Sequence, residues 1–180
     1  MIEALKAFIA ALVVSVAPAG GDPAEAWGNT HEARVMSVLV PLVAKWEGLS
    51  LNAYQDIVGV WTICYGHIDG VRPGDRMTKQ QCEDLLREEL SHYHHALMPA
   101  FTADTLSKRL PPERHAAFDS LSYNVGTAGT ARSTAVRRLN SGDIRGACAA
   151  IGWWNKAGGR VVRGLVNRRA DETALCLKGA

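Results

Sequence analysis

Residues 45–67 read KWEGLSLNAYQDIVGVWTICYGH. One carboxylate, Glu47, stands where a helical pattern runs into glycine. A second, Asp56, follows nine positions later in a polar turn, and a hydroxyl, Thr62, comes six positions after that among strand formers. Two carboxylates on different elements, one with a hydroxyl nearby, can divide protonation between them. General acid/base hydrolysis needs that division. Each residue also has a plainer reading: a helix-end carboxylate, a turn aspartate, a β-branched strand residue. The spacing of the three favours the chemical one. Trp46 and Leu49 flank Glu47, and partial desolvation by them would keep it protonated as the acid, while the polar turn keeps Asp56 ionised as the base.

Upstream, Val35, Val38, Leu39, Leu42 and Val43 recur at helical spacing, so residues 34–46 are predicted as a helix that Gly48 caps. Pro41 should kink it or mark a new start. Residues 22–33 read as a polar linker. Residues 1–21 read as an export element: Lys6 precedes a weakly apolar run too short for a typical span. It is either a cleavable signal peptide, with A-x-A-like sites near Ala19 and Ala26, or an uncleaved anchor. Both place the protein outside the cytoplasm.

Downstream, strand formers from Val58 to Tyr65, broken by Gly59 and Gly66, predict a small antiparallel sheet within residues 45–77. Thr78 and Gln81 form a capping box for a helix reaching about residue 97. Pro112 opens another helix that buries Ala117, Phe118, Leu121 and Val125 and ends at Gly126. Residues 133–140, 143–154 and 165–177 are further helices. The fold class is α+β, a small β lobe and a larger helical lobe (residues 98–178) with a cleft between. At 180 residues, residues 34–180 make one catalytic domain that can bury its own core.

A formal net charge of +2 does not call for a nucleic-acid partner. Residues 145–170 carry six basic residues and no acid. They read equally as a surface for anionic wall or membrane and as a solvated helix face. Four cysteines with an export-like N-terminus suggest two disulfides. Three connectivities are open, and sequence alone does not choose between them. Pairing Cys64 with Cys82 and Cys148 with Cys176 keeps each bridge within one lobe. His92 and His95 share a helix face, but nothing beside them completes a ligand set, so His92, His94 and His95 read as a solvated face and no metal is expected. No cofactor is expected, and Ser107 and Ser120 lack a nucleophile signature.

Glu, eight residues, Asp, five residues, Thr, then Tyr65-Gly66-His67 resembles the catalytic signature of the phage-type lysozymes, glycoside hydrolase family 24. Within that family DIVGVWTICYGH (56–67) most resembles lambdoid-phage endolysins, and the stretches TKQQCEDLLREEL (78–90), YNVG (123–126), LNSGDIRGAC (139–148), AGGRVVRGL (157–165) and NRRADETALCL (167–177) are similar to segments of the family. The resemblance spans residues 42–177. It implies a lysozyme-like fold in which residues 78–97 form the long helix joining the lobes. It implies hydrolysis of the β-1,4 bond between N-acetylmuramic acid and N-acetylglucosamine in peptidoglycan, with Glu47 as acid, Asp56 as base and Thr62 orienting water. It implies a structural pair of His67 with Glu89, the odd member of an apolar helix face. Ile68, Tyr123, Asn124 and Ser133 match positions that line the family's groove.

The related endolysins also carry N-terminal signal-arrest-release segments, which tether the enzyme to the inner membrane and then leave it. Residues 1–44 hold no cysteine, so activation by disulfide exchange from that segment is closed to this chain. Refolding of the released N-terminus around Glu47 is the expected alternative. The expected protein is a monomeric periplasmic endolysin. A lytic transglycosylase and a catalytically dead wall-binding module are the competing readings.

Overall fold

The computed structural model describes residues 23–56 and 58–178, with side chains from residue 30 onward. The expected export segment lies outside the described residues. Among them, no helix is long and apolar enough to cross a membrane.

Helix α1 runs Pro23–Glu47. The expected linker is therefore helical from Pro23, and Pro41 neither ends nor restarts the helix. Pro41 lies on the exposed side, while Val35, Leu39 and Val43 on the other side are wholly buried. Burial of that stripe outweighs the one backbone bond that proline removes. Gly48, at φ 73°, stops the helix in a backbone region that other residues rarely enter.

Strands β1 (Ser50–Gln55) and β2 (Trp61–Cys64) form an antiparallel hairpin with Tyr54 opposite Thr62 and an irregularity between Ser50 and Tyr54. The segment 75–77 extends it: the Ala53 amide donates to Asp75 at 2.9 Å and that of Met77 to Leu51 at 3.0 Å. Helix α2, Lys79–Leu97, begins with the expected capping box. A disulfide joins Cys64 to Cys82, fastening the hairpin to its first turn.

The helical lobe contains α3 (Ala103–Lys108), α4 (Pro112–Val125), α5 (Thr127–Ala131), α6 (Thr134–Asn140), α7 (Ile144–Ile151) and α8 (Arg163–Lys178). The second disulfide, Cys148 to Cys176, ties α7 to α8. Between these helices lies a small hairpin, β3 (Lys156–Ala157) with β4 (Arg160–Val161). Gly158 and Gly159, both at positive φ, make its turn.

Two cores result. Val35, Leu39, Val43, Ile63, Cys82, Leu86 and Leu90 gather α1, β2 and α2. Leu97, Phe118, Leu121, Leu139 and Ile151 gather the helical lobe. Helix α2 begins in the first core and ends in the second, as the joining helix should. Helix α4 is buried on almost every side, packed against α1, α2 and α8. The expected apolar stripe was only part of its buried surface.

Candidate active site

Glu47 is the last residue of α1, three positions before β1 begins. Its Oε1 accepts a hydrogen bond from Arg168 Nη1 of α8 at 2.7 Å. The side chain is 17% exposed, so it is accessible while its partner is buried. Besides its partial burial, Glu47 has a cation as hydrogen-bond partner.

Arg168 belongs to a buried chain of alternating charge. Its Nε donates to Glu172 Oε1 at 3.1 Å, and Ser120 donates its hydroxyl to the same oxygen at 2.7 Å. The other oxygen of Glu172 accepts from Arg169 Nη1, and Arg169 Nη2 donates to Asn124 Oδ1. Glu172 and Arg169 are shut off from solvent. The Glu172 carboxylate lies between the two guanidiniums and offsets the cost of burying them. Burial lowers the pKa of Arg169 against the opposing pull of Glu172. The basic run of residues 145–170 is therefore not one surface: Arg168 and Arg169 face inward. The signal for this was the i, i+4 spacing of Arg168 and Glu172 in the NRRADE stretch.

Asp56 closes the β1–β2 hairpin. Its Oδ1 accepts from the amides of Val58 at 2.9 Å and Val60 at 2.8 Å. Two donors on one oxygen fix the plane of the carboxylate. Thr62 lies on the same hairpin but is 1% exposed, and its hydroxyl donates to the Val60 carbonyl at 3.1 Å. Water can reach that hydroxyl only if the hairpin shifts.

The His67–Glu89 pair is present. His67 Nδ1 lies 2.5 Å from Glu89 Oε1, and its Nε2 lies 2.9 Å from the Asp69 carbonyl. Both ring nitrogens face acceptors, so the imidazolium satisfies both. The hydrogen bond to Glu89 raises the His67 pKa against the effect of burial. Tyr123 donates its hydroxyl to the other oxygen of Glu89 at 3.3 Å. Burial first, then the charges of Glu89 and Glu47, push the Tyr123 phenol upward, so it remains a donor.

Of the expected groove residues, Ile68 is open to solvent at 38% exposure. Leu51, Tyr54, Val58 and Val60 join it as exposed apolar side chains of this lobe. Three others have partners within the fold. Tyr123 is buried and serves Glu89. Asn124 gives its oxygen to Arg169. Ser133 is buried and caps α6 by accepting from the Val136 amide at 3.1 Å. Of the adjacent tryptophans, Trp153 is exposed and lies under the Arg138 guanidinium, whereas Trp154 packs on the helical core. The histidine reading also needs correction. His92 and His95 are exposed, but His94 is buried and lies 2.8 Å from Asp119.

Comparison with known proteins agrees with the fold. The chain matches the family model described as Phage lysozyme over residues 44–172. It is 40% identical over 134 residues to the SAR-endolysin of Enterobacteria phage P21, covering 74% of this chain and 78% of that protein. It is 37% identical over 150 residues to the SAR-endolysin of Pseudomonas phage phiKMV, covering 81% of this chain and 89% of that one. The solved structure of the active form of the P1 phage endolysin Lyz superimposes with a TM-score of 0.69 at 26% identity, covering 85% of this chain and 89% of that chain. With its two-lobed fold and a match that spans Glu47, Asp56 and Thr62, the chain belongs to the phage lysozyme family.

Proposed function

We propose that the protein is an exported endolysin of glycoside hydrolase family 24. It would hydrolyse the β-1,4 bond between N-acetylmuramic acid and N-acetylglucosamine in peptidoglycan. One observation carries the assignment of roles: Glu47 is partly exposed at the end of α1, next to the hairpin bearing Asp56, and its partner is a buried arginine. Glu47 gives its proton to the leaving glycosidic oxygen. The carboxylate this creates forms 2.7 Å from Arg168 Nη1, a cation already in position. Charge that develops in the transition state thus meets a preorganised partner. Asp56, with its plane held by two amides, takes a proton from the attacking water on the other face of the sugar. Thr62 would steer that water once the hairpin has shifted. The exposed apolar side chains around Ile68 suit the faces of sugar rings.

The test is mass spectrometry of purified peptidoglycan after digestion. Reducing muramic ends are expected from the parent chain, and Glu47→Gln should give none while still binding the wall. Anhydro-muramic ends would instead identify a lytic transglycosylase, and an inactive parent chain would identify a binding module.

Residues 1–21 are proposed to carry the chain across the inner membrane and tether it there before release, in line with the relatives named SAR-endolysins. The mass of the purified protein decides this. An intact N-terminus supports tethering and release, and a start at Gly20 or Trp27 would show simple cleavage.

A further inference from the structure

Away from Glu47, three helices bring four polar side chains to one buried point. Helix α1 supplies His31, α2 supplies His94, and α4 supplies His115 and Asp119. His94, His115 and Asp119 are all buried. The His94 and His115 rings lie with centroids 4.3 Å apart, and Phe101 closes on His115 edge-on at 5.7 Å.

The cluster is incompletely satisfied. His94 Nδ1 lies 2.8 Å from Asp119 Oδ2, and His31 Nε2 lies 3.2 Å from His115 Nδ1. Two buried atoms, His115 Nε2 and Asp119 Oδ1, have no hydrogen-bond partner among the described residues. They face each other at 3.9 Å, too far for a hydrogen bond. Buried polar atoms left this way are costly, and here two of them face one point.

We propose that His94, His115 and Asp119 bind one divalent transition-metal ion of the zinc class, which clips α2 to α4. Each residue offers one ligand atom, and these atoms lie within 4.8 Å of one another. Ligands about 2.0–2.2 Å from a tetrahedral zinc are about 3.3–3.6 Å apart. His94 Nδ1 lies 2.8 Å from Asp119 Oδ2 and His115 Nε2 lies 3.9 Å from Asp119 Oδ1, so the carboxylate must turn to bring one oxygen to both rings or use both oxygens. The second carboxylate oxygen or a water would complete four ligands. Two imidazoles and one carboxylate suit zinc or cobalt, whereas magnesium and calcium prefer oxygen alone. A ligating imidazole normally has its other ring nitrogen supported, and His31 stands where it would support His115. On the His94–Asp119 pair the metal replaces a shared proton, which is released to solvent. The burial of the cluster makes the site structural rather than catalytic, and the inference does not depend on the proposed hydrolysis.

The test uses the full chain, stripped with a chelator, dialysed against zinc and assayed by elemental analysis. Cobalt loading is followed in parallel by its visible spectrum. One ion per chain is expected, with the intense cobalt bands of a tetrahedral site. The double variant His92→Ala/His95→Ala, which removes exposed histidines, should keep the ion. Asp119→Asn and His115→Gln should lose it. Should either fail to fold, His31→Asn tests the same point from outside the ligand set: it should weaken zinc roughly tenfold while the helical circular dichroism stays unchanged. No uptake by the parent chain, equal uptake by Asp119→Asn and His31→Asn, or loss only in the His92/His95 variant would each overturn the proposal. So would a crystal structure of the zinc-dialysed chain with only water between His115 and Asp119.

Discussion

At the scale of single residues, Glu47 and Glu172 are both glutamates paired with Arg168, yet substitution should affect them differently. Glu47 is partly exposed and ends a helix, whereas Glu172 is sealed between Arg168, Arg169 and Ser120. Glu47→Gln keeps the shape and removes the transferable proton. The rate of wall digestion should fall by about 10²–10⁴-fold, the usual worth of a positioned general acid, with little change in melting temperature. Glu172→Gln should do the reverse. It leaves two buried guanidiniums short of their counter-charge, and breaking a buried pair from one side costs about 3–5 kcal/mol. Chemical denaturation should show that loss, while the activity of the molecules still folded falls less than in Glu47→Gln. The contrast was only half legible in the sequence. Glu47, Asp56 and Thr62 could be singled out as candidates because their spacing along the chain is short and characteristic. The anchor could not, because Arg168 lies 121 positions from Glu47 and an Arg-Arg pair on a helix ordinarily reads as surface.

At the scale of elements, the termini of α2 were readable because caps are local chemistry: Thr78 and Gln81 satisfy each other's backbone within one turn. The length of α1 was not, because proline and polar residues argue locally against a helix that tertiary burial then enforces. Pro41→Ala should therefore stabilise the fold by about 1–3 kcal/mol, since it restores a backbone bond on an exposed face, and thermal unfolding would register the gain. The junction between the hairpin and α2 carries a pH dependence as well. His67 has its pKa raised above 6.5 in the fold by the hydrogen bond to Glu89. Its stabilising contribution is then complete below about 6.5 and is lost as pH climbs through the raised folded value. The melting temperature of the parent should decline over that window, and Glu89→Gln should flatten the decline. A steeper slope in the variant would contradict the assignment.

At the scale of the molecule, each lobe carries its own bridge, and the two should differ in what they protect. Cys64–Cys82 spans 18 positions and pins the hairpin carrying Asp56 and Thr62 to α2. Cys148–Cys176 spans 28 positions and pins α8, whose inner face carries Arg168, Arg169 and Glu172, to α7. Both loops are of a length for which loss of the bridge costs about 3 kcal/mol through the unfolded chain. The functional consequences should diverge because Glu47 depends on α8 and the hairpin residues do not. In Cys148→Ser/Cys176→Ser, loosening of α8 removes the partner of Glu47, the proposed acid, so the rate on peptidoglycan should fall at temperatures well below global unfolding. In Cys64→Ser/Cys82→Ser, the His67–Glu89 pair still holds the hairpin to α2 at 2.5 Å, so activity should follow the unfolding curve itself. Activity and circular dichroism measured over the same temperature ramp would separate the two cases. Coincident curves for both variants would show that the lobes melt as one unit and that the bridges act only on global stability.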